Sequence, residues 1–104
     1  MTLLRVTYRL RAHHTAVFEK IFDEEIVPIV RRHGVRFLGV WRTAVGEVGE
    51  YMELWQFESM ADFDRRWKSV LADPQLQKIF ERTGPMVESE NFTLLDPIID
   101  RLTP

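Results

Sequence analysis

The chain predicts an α+β fold, an antiparallel four-stranded sheet with helices. Three observations carry this expectation: four segments whose apolar residues alternate with period two, two segments whose apolar residues recur at helical spacing, and the order in which they come. That order is strand, helix, strand, strand, helix, strand, the β-α-β-β-α-β pattern of ferredoxin-like folds.

The first strand is read from Leu4, Val6, Tyr8 and Leu10, which alternate with Arg5, Thr7, Arg9 and Arg11. His13, His14 and Thr15 form the connection, with Thr15 as the expected N-cap. A helix is expected over 16–32, where Phe18, Ile21, Phe22, Ile26, Ile29 and Val30 recur three and four apart. Acidic residues lie toward its start and Arg31 and Arg32 at its end, the order the helix dipole favours. Pro28 lacks a backbone N–H and should kink or divide this helix, and Gly34 should end it in a left-handed cap.

Strands are expected over 35–45 and 50–57, joined by a turn that Gly46 and Gly49 permit. Ser59 and Asp62 read as a capping-box variant opening a helix whose apolar stripe is Met60, Phe63, Trp67, Val70 and Leu71. Asp73-Pro74 starts a second helix that buries Leu76, Ile79 and Phe80, and Gly84-Pro85 stops it. The last strand is expected over 90–95, closed by Pro97, and the tail 98–104 is an arm or a short helix.

The 104 residues are enough for one domain spanning 1–104. A hydrophobic share of 45% and a charged share of 29% are ordinary for a soluble globular protein. With 14 basic and 16 acidic residues the net charge is -2, and without a long basic run nothing points to nucleic acid. Arg5, Arg9 and Arg11 make a short basic ladder, read as an exposed or interface face in preference to a phosphate site. The absence of cysteine excludes disulfides, thiolate catalysis and iron–sulfur clusters. No apolar run reaches the roughly 20 residues that span a bilayer, and the N-terminus does not read as a signal peptide. The expectation is a cytoplasmic protein that holds neither a metal nor a tight cofactor.

Helices cover one face of such a sheet, yet both faces carry large apolar groups. On the second strand one parity holds Val35, Phe37 and Trp41 and the other Leu38 and Val40; on the third, Tyr51, Glu53, Trp55 and Phe57 oppose Met52 and Leu54. A homodimer in which two sheets face each other would hide the surplus, at roughly 800 Å² per subunit for a stable interface.

Taken together, Thr7-Tyr8-Arg9-Leu10, Pro28, Arg32-His33-Gly34, Leu38-Gly39-Val40-Trp41-Arg42-Thr43, Leu54-Trp55-Gln56-Phe57-Glu58-Ser59 and Leu71-Ala72-Asp73-Pro74 resemble the NIPSNAP family over about residues 4–97. The resemblance implies a dimeric α/β barrel, an architecture shared by cofactor-free monooxygenases, haem-degrading enzymes, muconolactone-type isomerases and polyketide cyclases. It implies no particular reaction. Two departures stand out: the first strand of the family often reads Glu-x-Arg-Thr-Tyr, where this chain has Leu4 and Val6, and a histidine is common where this chain has Glu53.

Glu53 is the sharpest catalytic candidate. Flanked on its strand face by Tyr51 and Trp55, a desolvated carboxylate has a raised pKa and suits general acid–base work near neutrality. The plainer alternative is an ion pair with Arg5 or Arg9 across the sheet, which would lower the pKa. Tyr8, Trp41, Tyr51 and Trp55 are the expected ligand-binding wall, stacking on a planar molecule, against the alternative of packing alone. His33 reads as a helix-end residue capping carbonyls, His13 and His14 lack a third metal ligand, and Trp67 reads as core. The leading functional expectation is a homodimer binding a small, partly apolar organic molecule, with isomerase- or cyclase-like proton transfer by Glu53. The alternatives are a non-catalytic protein-interaction module and a cofactor-free monooxygenase. A cavity packed shut favours the former; an aromatic slot receiving a bond from Asn91 or an indole favours the latter.

Overall fold

The computed structural model describes residues 1–101. Strands β1 (Thr2–Leu10), β2 (Arg36–Arg42), β3 (Glu50–Phe57) and β4 (Val87–Leu95) form one antiparallel sheet in the order β2-β3-β1-β4. This is the ferredoxin-like arrangement. Helices α1 (Thr15–Ile21), α2 (Val27–Arg32), α3 (Met60–Leu71) and α4 (Pro74–Thr83) pack on one face of it. The inner face presents Leu4, Val6, Tyr8 and Leu10 from β1, all buried, against Phe18, Phe22, Ile26 and Val30 from the first helical layer and Val70, Leu76 and Ile79 from the second. Alternation on β1 thus becomes a core on one side only.

The first helix is divided, as Pro28 requires, but the irregularity lies upstream of the proline. Residues Phe22–Ile26 form a π-helical turn in which the Val27 N–H donates to the Phe22 carbonyl. Proline cannot donate to the carbonyl four residues back and crowds it, so the chain widens the preceding turn and resumes regular helix with Pro28 at its start. The helix ends at Gly34, at φ +82, with the His33 and Gly34 N–H groups donating to the Val30 and Arg31 carbonyls at 3.0 and 2.9 Å. A side chain at Gly34 would collide with the Arg66 guanidinium, which donates to the His33 carbonyl at 3.0 Å.

Thr15 corrects one expectation. It is the first residue of α1, its hydroxyl donates to the Ala12 carbonyl at 3.1 Å, and a short 3-10 turn over Ala12–His14 precedes it, so no side chain caps this helix. The two later caps form as read. The Ser59 hydroxyl accepts from the Asp62 N–H at 3.0 Å, and the Asp73 carboxylate accepts from the Gln75 and Leu76 N–H groups. Asp62 differs from a regular capping box in reaching one residue further back, to the Glu58 N–H. The last strand begins three residues earlier than expected, at Val87. Of the tail expected as an arm or short helix over 98–104, Ile98 and Ile99 are exposed in a bend, 100–101 are irregular, and 102–104 lie outside the described residues.

Candidate functional site

β3 supplies the centre of the site because its alternation is unbroken. Tyr51, Glu53, Trp55 and Phe57 all face the helices and are all buried. In the antiparallel register Glu53 stands opposite Val6, Tyr51 opposite Tyr8 and Trp55 opposite Leu4, so the inward residues of β1 and β3 form one surface. Between this surface and the helices is a cavity of about 630 Å³. Glu53, Tyr8 and Trp55 line its sheet side, Phe18, Phe22 and Trp67 its helical side, and Leu71, Phe80 and Phe92, each substantially exposed, stand where it meets solvent.

Glu53 is 8% exposed. Its Oε1 accepts from the Trp55 indole Nε1–H at 2.8 Å. Burial pushes its pKa up to about 7, the indole bond and the neighbouring Tyr8 hydroxyl acting against the shift and the Glu90 carboxylate adding to it. Tyr8 is 5% exposed, and its hydroxyl has no hydrogen-bond partner among the described residues. Burial, first, and then the charge of Glu53 push the Tyr8 phenol far upward, so it stays protonated. A carboxyl that titrates near neutrality beside a phenol that does not is a pair able to take a proton at one atom and hold an oxygen at the other.

The two tyrosine rings stack, with centroids 5.5 Å apart and planes 3° from parallel. Tyr51 nevertheless turns its hydroxyl away from Glu53 and donates to Glu19 Oε2 at 2.7 Å, where Arg42 also donates at 3.0 Å. Tyr51 thus stacks on Tyr8 outside this cavity and borders a neighbouring hollow with Phe18 and Glu19, while Tyr8 and Trp55 line the cavity itself.

Trp41 is not part of that wall. A bulge at Leu38 shifts the β2 register between Phe37 and Gly39, so Phe37 stands opposite Trp55 but Trp41 stands opposite Met52. Everything after the bulge changes face, and Val40 and Arg42 take the inward positions where Trp41 was expected. The Trp41 ring lies over Gly39, at φ +154, where an added Cβ would sit 2.8 Å from it, and Trp41 is half-exposed on the open face. Asn91 also lies on that face, opposite Thr7.

The alternative ion pair for Glu53 is corrected by the same register. Arg5 and Arg9 point to the open face, and Arg9 pairs with Glu47 and Glu50. His33 caps no carbonyl: its Nε2 is 2.7 Å from Asp73 Oδ2 and its Nδ1 2.6 Å from the Ser69 hydroxyl, so it ties the end of α2 to α3 and α4. His13 and His14 pack edge to face, and no group of three metal-ligating side chains occurs among the described residues. Two residues that the sequence reading passed over belong to the cavity. Trp67, read as core, is only half-buried and lines it, and Glu90 lines it from β4 opposite Tyr8. The parity of Glu90 with Phe92 and Leu94 was the signal for the latter.

The fold is shared with known structures. An uncharacterised NIPSNAP domain protein from Burkholderia xenovorans superposes with a TM-score of 0.87 at 25% identity, covering 100% of this chain and 99% of that one. Protein Atu4242 from Agrobacterium tumefaciens superposes at 0.88 with 23% identity, covering 100% and 98%. A candidate antibiotic biosynthesis monooxygenase from Bacteroides thetaiotaomicron superposes at 0.78 with 20% identity, covering 99% and 95%. No curated protein sequence matches the chain. Among the described residues no helix is long and apolar enough to cross a membrane. The NIPSNAP family model matches residues 3–99, and the chain therefore belongs to the NIPSNAP family.

Proposed function

We propose that this domain binds a small, partly apolar organic molecule in the cavity over Glu53 and processes it by proton transfer, as an isomerase or cyclase without a tightly held cofactor. The observation that carries this reading is a buried carboxylate, with its pKa pushed up to about 7, lining a cavity of about 630 Å³. That volume is within the range of small-molecule sites, and the apolar lining with a few convergent polar atoms is their usual character. Glu53 would serve as base and then acid, Trp55 would fix the carboxylate through its indole, and Tyr8 would bond a substrate oxygen.

The three tryptophans provide the test. Trp55 and Trp67 line the cavity and Trp41 lies on the opposite face. In a fragment screen followed by the indole N–H resonances, binders should move the signals of Trp55 and Trp67 and leave Trp41 unmoved. Glu53→Gln should retain the neutral binders and lose catalysed exchange of their acidic hydrogens with solvent. Fragments that move Trp41 alone, or exchange that survives in the Gln variant, would contradict the reading.

A cofactor-free monooxygenase is the second reading, supported by the likeness to the Bacteroides protein, although the Trp55 indole N–H is committed to Glu53 and Asn91 lies on the other face. Oxygen uptake with an electron-rich phenolic fragment would select it. The proposal also includes a cytoplasmic homodimer joined through the open sheet face. Half-exposed Trp41 and two buried but unpaired polar atoms on that face, Arg5 Nε and Gln56 Oε1, support a second copy as the cover. Sedimentation at low micromolar concentration should give a dimer, and a monomer there would contradict it.

A further inference from the structure

The cavity has a charge character that narrows its ligand, an inference that rests on the binding reading above. Its ionisable lining consists of Glu53, Glu88, Glu90 and Tyr8, with no lysine, arginine or histidine. Glu88 has a cation of its own, Arg11, at 3.5 Å on the outside. Glu53 accepts the indole bond beside the Tyr8 hydroxyl, and neither it nor Glu90 makes an ion pair among the described residues. Two acids without cations therefore border one apolar space, Glu53 in its depth and Glu90 nearer its mouth. The Tyr8 hydroxyl, buried and unpartnered, belongs to the same wall and stands opposite Glu90 in the sheet register.

An anionic ligand would bring a like charge into a site with low-dielectric walls, where repulsion is strongly felt. A neutral ligand would gain nothing from the charge of Glu90, which keeps its water, and would leave Glu53 to hold its proton. A cation would meet both acids and the oxygen of the phenol, in a space lined by Trp55, Trp67 and Phe92, side chains of the kind that attract ammonium groups. We infer that the cavity selects a protonated amine carried on an apolar body, with its ammonium group held by Glu53, Glu90 and Tyr8. Such a ligand would itself convert Glu53 to the carboxylate form that a general base needs.

The test uses three probes of one shape and different charge, 4-phenylbutylamine, 4-phenylbutanol and 4-phenylbutyrate, titrated calorimetrically into the full chain at pH 7. The amine should bind at least tenfold more tightly than either of the others. Glu53→Gln and Glu90→Gln should each reduce amine affinity several-fold and leave the alcohol unchanged. Glu90 lies nearer solvent, so its variant tests the charge effect even if the Glu53 variant folds poorly. Equal affinity for all three probes, or tighter binding of the butyrate, would overturn the cation preference and leave the cavity as a binding site. Failure of all three to bind, with the Trp55 and Trp67 signals unmoved, would remove the cavity as a site and the inference with it.

Discussion

The two faces of the sheet are built from the same strands and differ in nearly everything else. The inner face carries Leu4, Val6, Tyr8, Glu53 and Trp55, all buried, and its carboxylate bonds the Trp55 indole and pairs with no cation among the described residues. The outer face carries Arg5, Thr7, Arg9, Met52 and Leu54, with Trp41 half-exposed and no helix across it among the described residues. The two faces of one sheet thus separate an acid on β3 whose ionisation burial opposes from an arginine on β1, Arg9, held by Glu47 and Glu50. Alternation in a strand is a sorting device: it decides which groups share a dielectric environment, and hence which acquire unusual chemistry.

The contrast is broken most severely by removing the inner aromatic. Trp55 is 2% exposed, so Trp55→Ala should cost about 3–5 kcal/mol. Trp41→Ala, on the other face and half-exposed, should cost under about 1 kcal/mol per subunit. Urea denaturation compares the two, and similar losses would mean that the faces are not so different.

The next largest effect is a pH dependence. Glu53 is raised in the folded chain, from 4.5 to about 7, so the folded state holds its proton more tightly than the unfolded one. Stability from this group is fully present below about pH 4.5, falls as pH rises, and is lost above about 7. A shift of that size corresponds to about 3 kcal/mol. Glu53→Gln should therefore gain stability over the natural chain at pH 8 and little at pH 4.5. Parallel stability profiles for the two chains would show that Glu53 titrates normally.

A smaller effect sharpens the account of the indole bond. Trp55→Phe keeps an aromatic ring and removes the donor that favours the carboxylate, so the Glu53 midpoint should move further up. An unchanged midpoint in a carboxyl titration would mean that the bond at 2.8 Å contributes nothing to the charge state. The smallest expected effect is at the oligomer. Arg5→Ala leaves the inner face alone and should raise the dissociation constant of the proposed dimer without moving the Glu53 midpoint, as sedimentation and titration would show together.

These contrasts also mark how far the sequence could be read. β3 alternates without interruption and β1 does from Leu4 onward, so the company of Glu53 with Tyr51 and Trp55 was legible from parity alone. The exclusion of Arg5 and Arg9 was not, because it depends on Glu53 standing opposite Val6, and register is set by pairing and by the turn. Trp41 was misplaced for a related reason. The extra residue at Leu38 is announced only by Gly39, and a glycine in a strand does not by itself say where the faces exchange. A cavity beside Glu53, Tyr8 and Trp55 was expected, but its helical side and its mouth were out of reach. Leu71 and Phe80 fit their helical stripes as core residues, and only the spacing of α3 and α4 from the sheet leaves both exposed at its mouth.

The central claim is that one buried carboxylate is poised for proton transfer near neutrality, and it can be measured directly. The side-chain carboxyl carbon of Glu53, assigned by comparison with Glu53→Gln, should titrate in the ¹³C spectrum with a midpoint near 7. A midpoint within the ordinary glutamate range, close to 4.5, would contradict the account and leave Glu53 as a structural partner of Trp55.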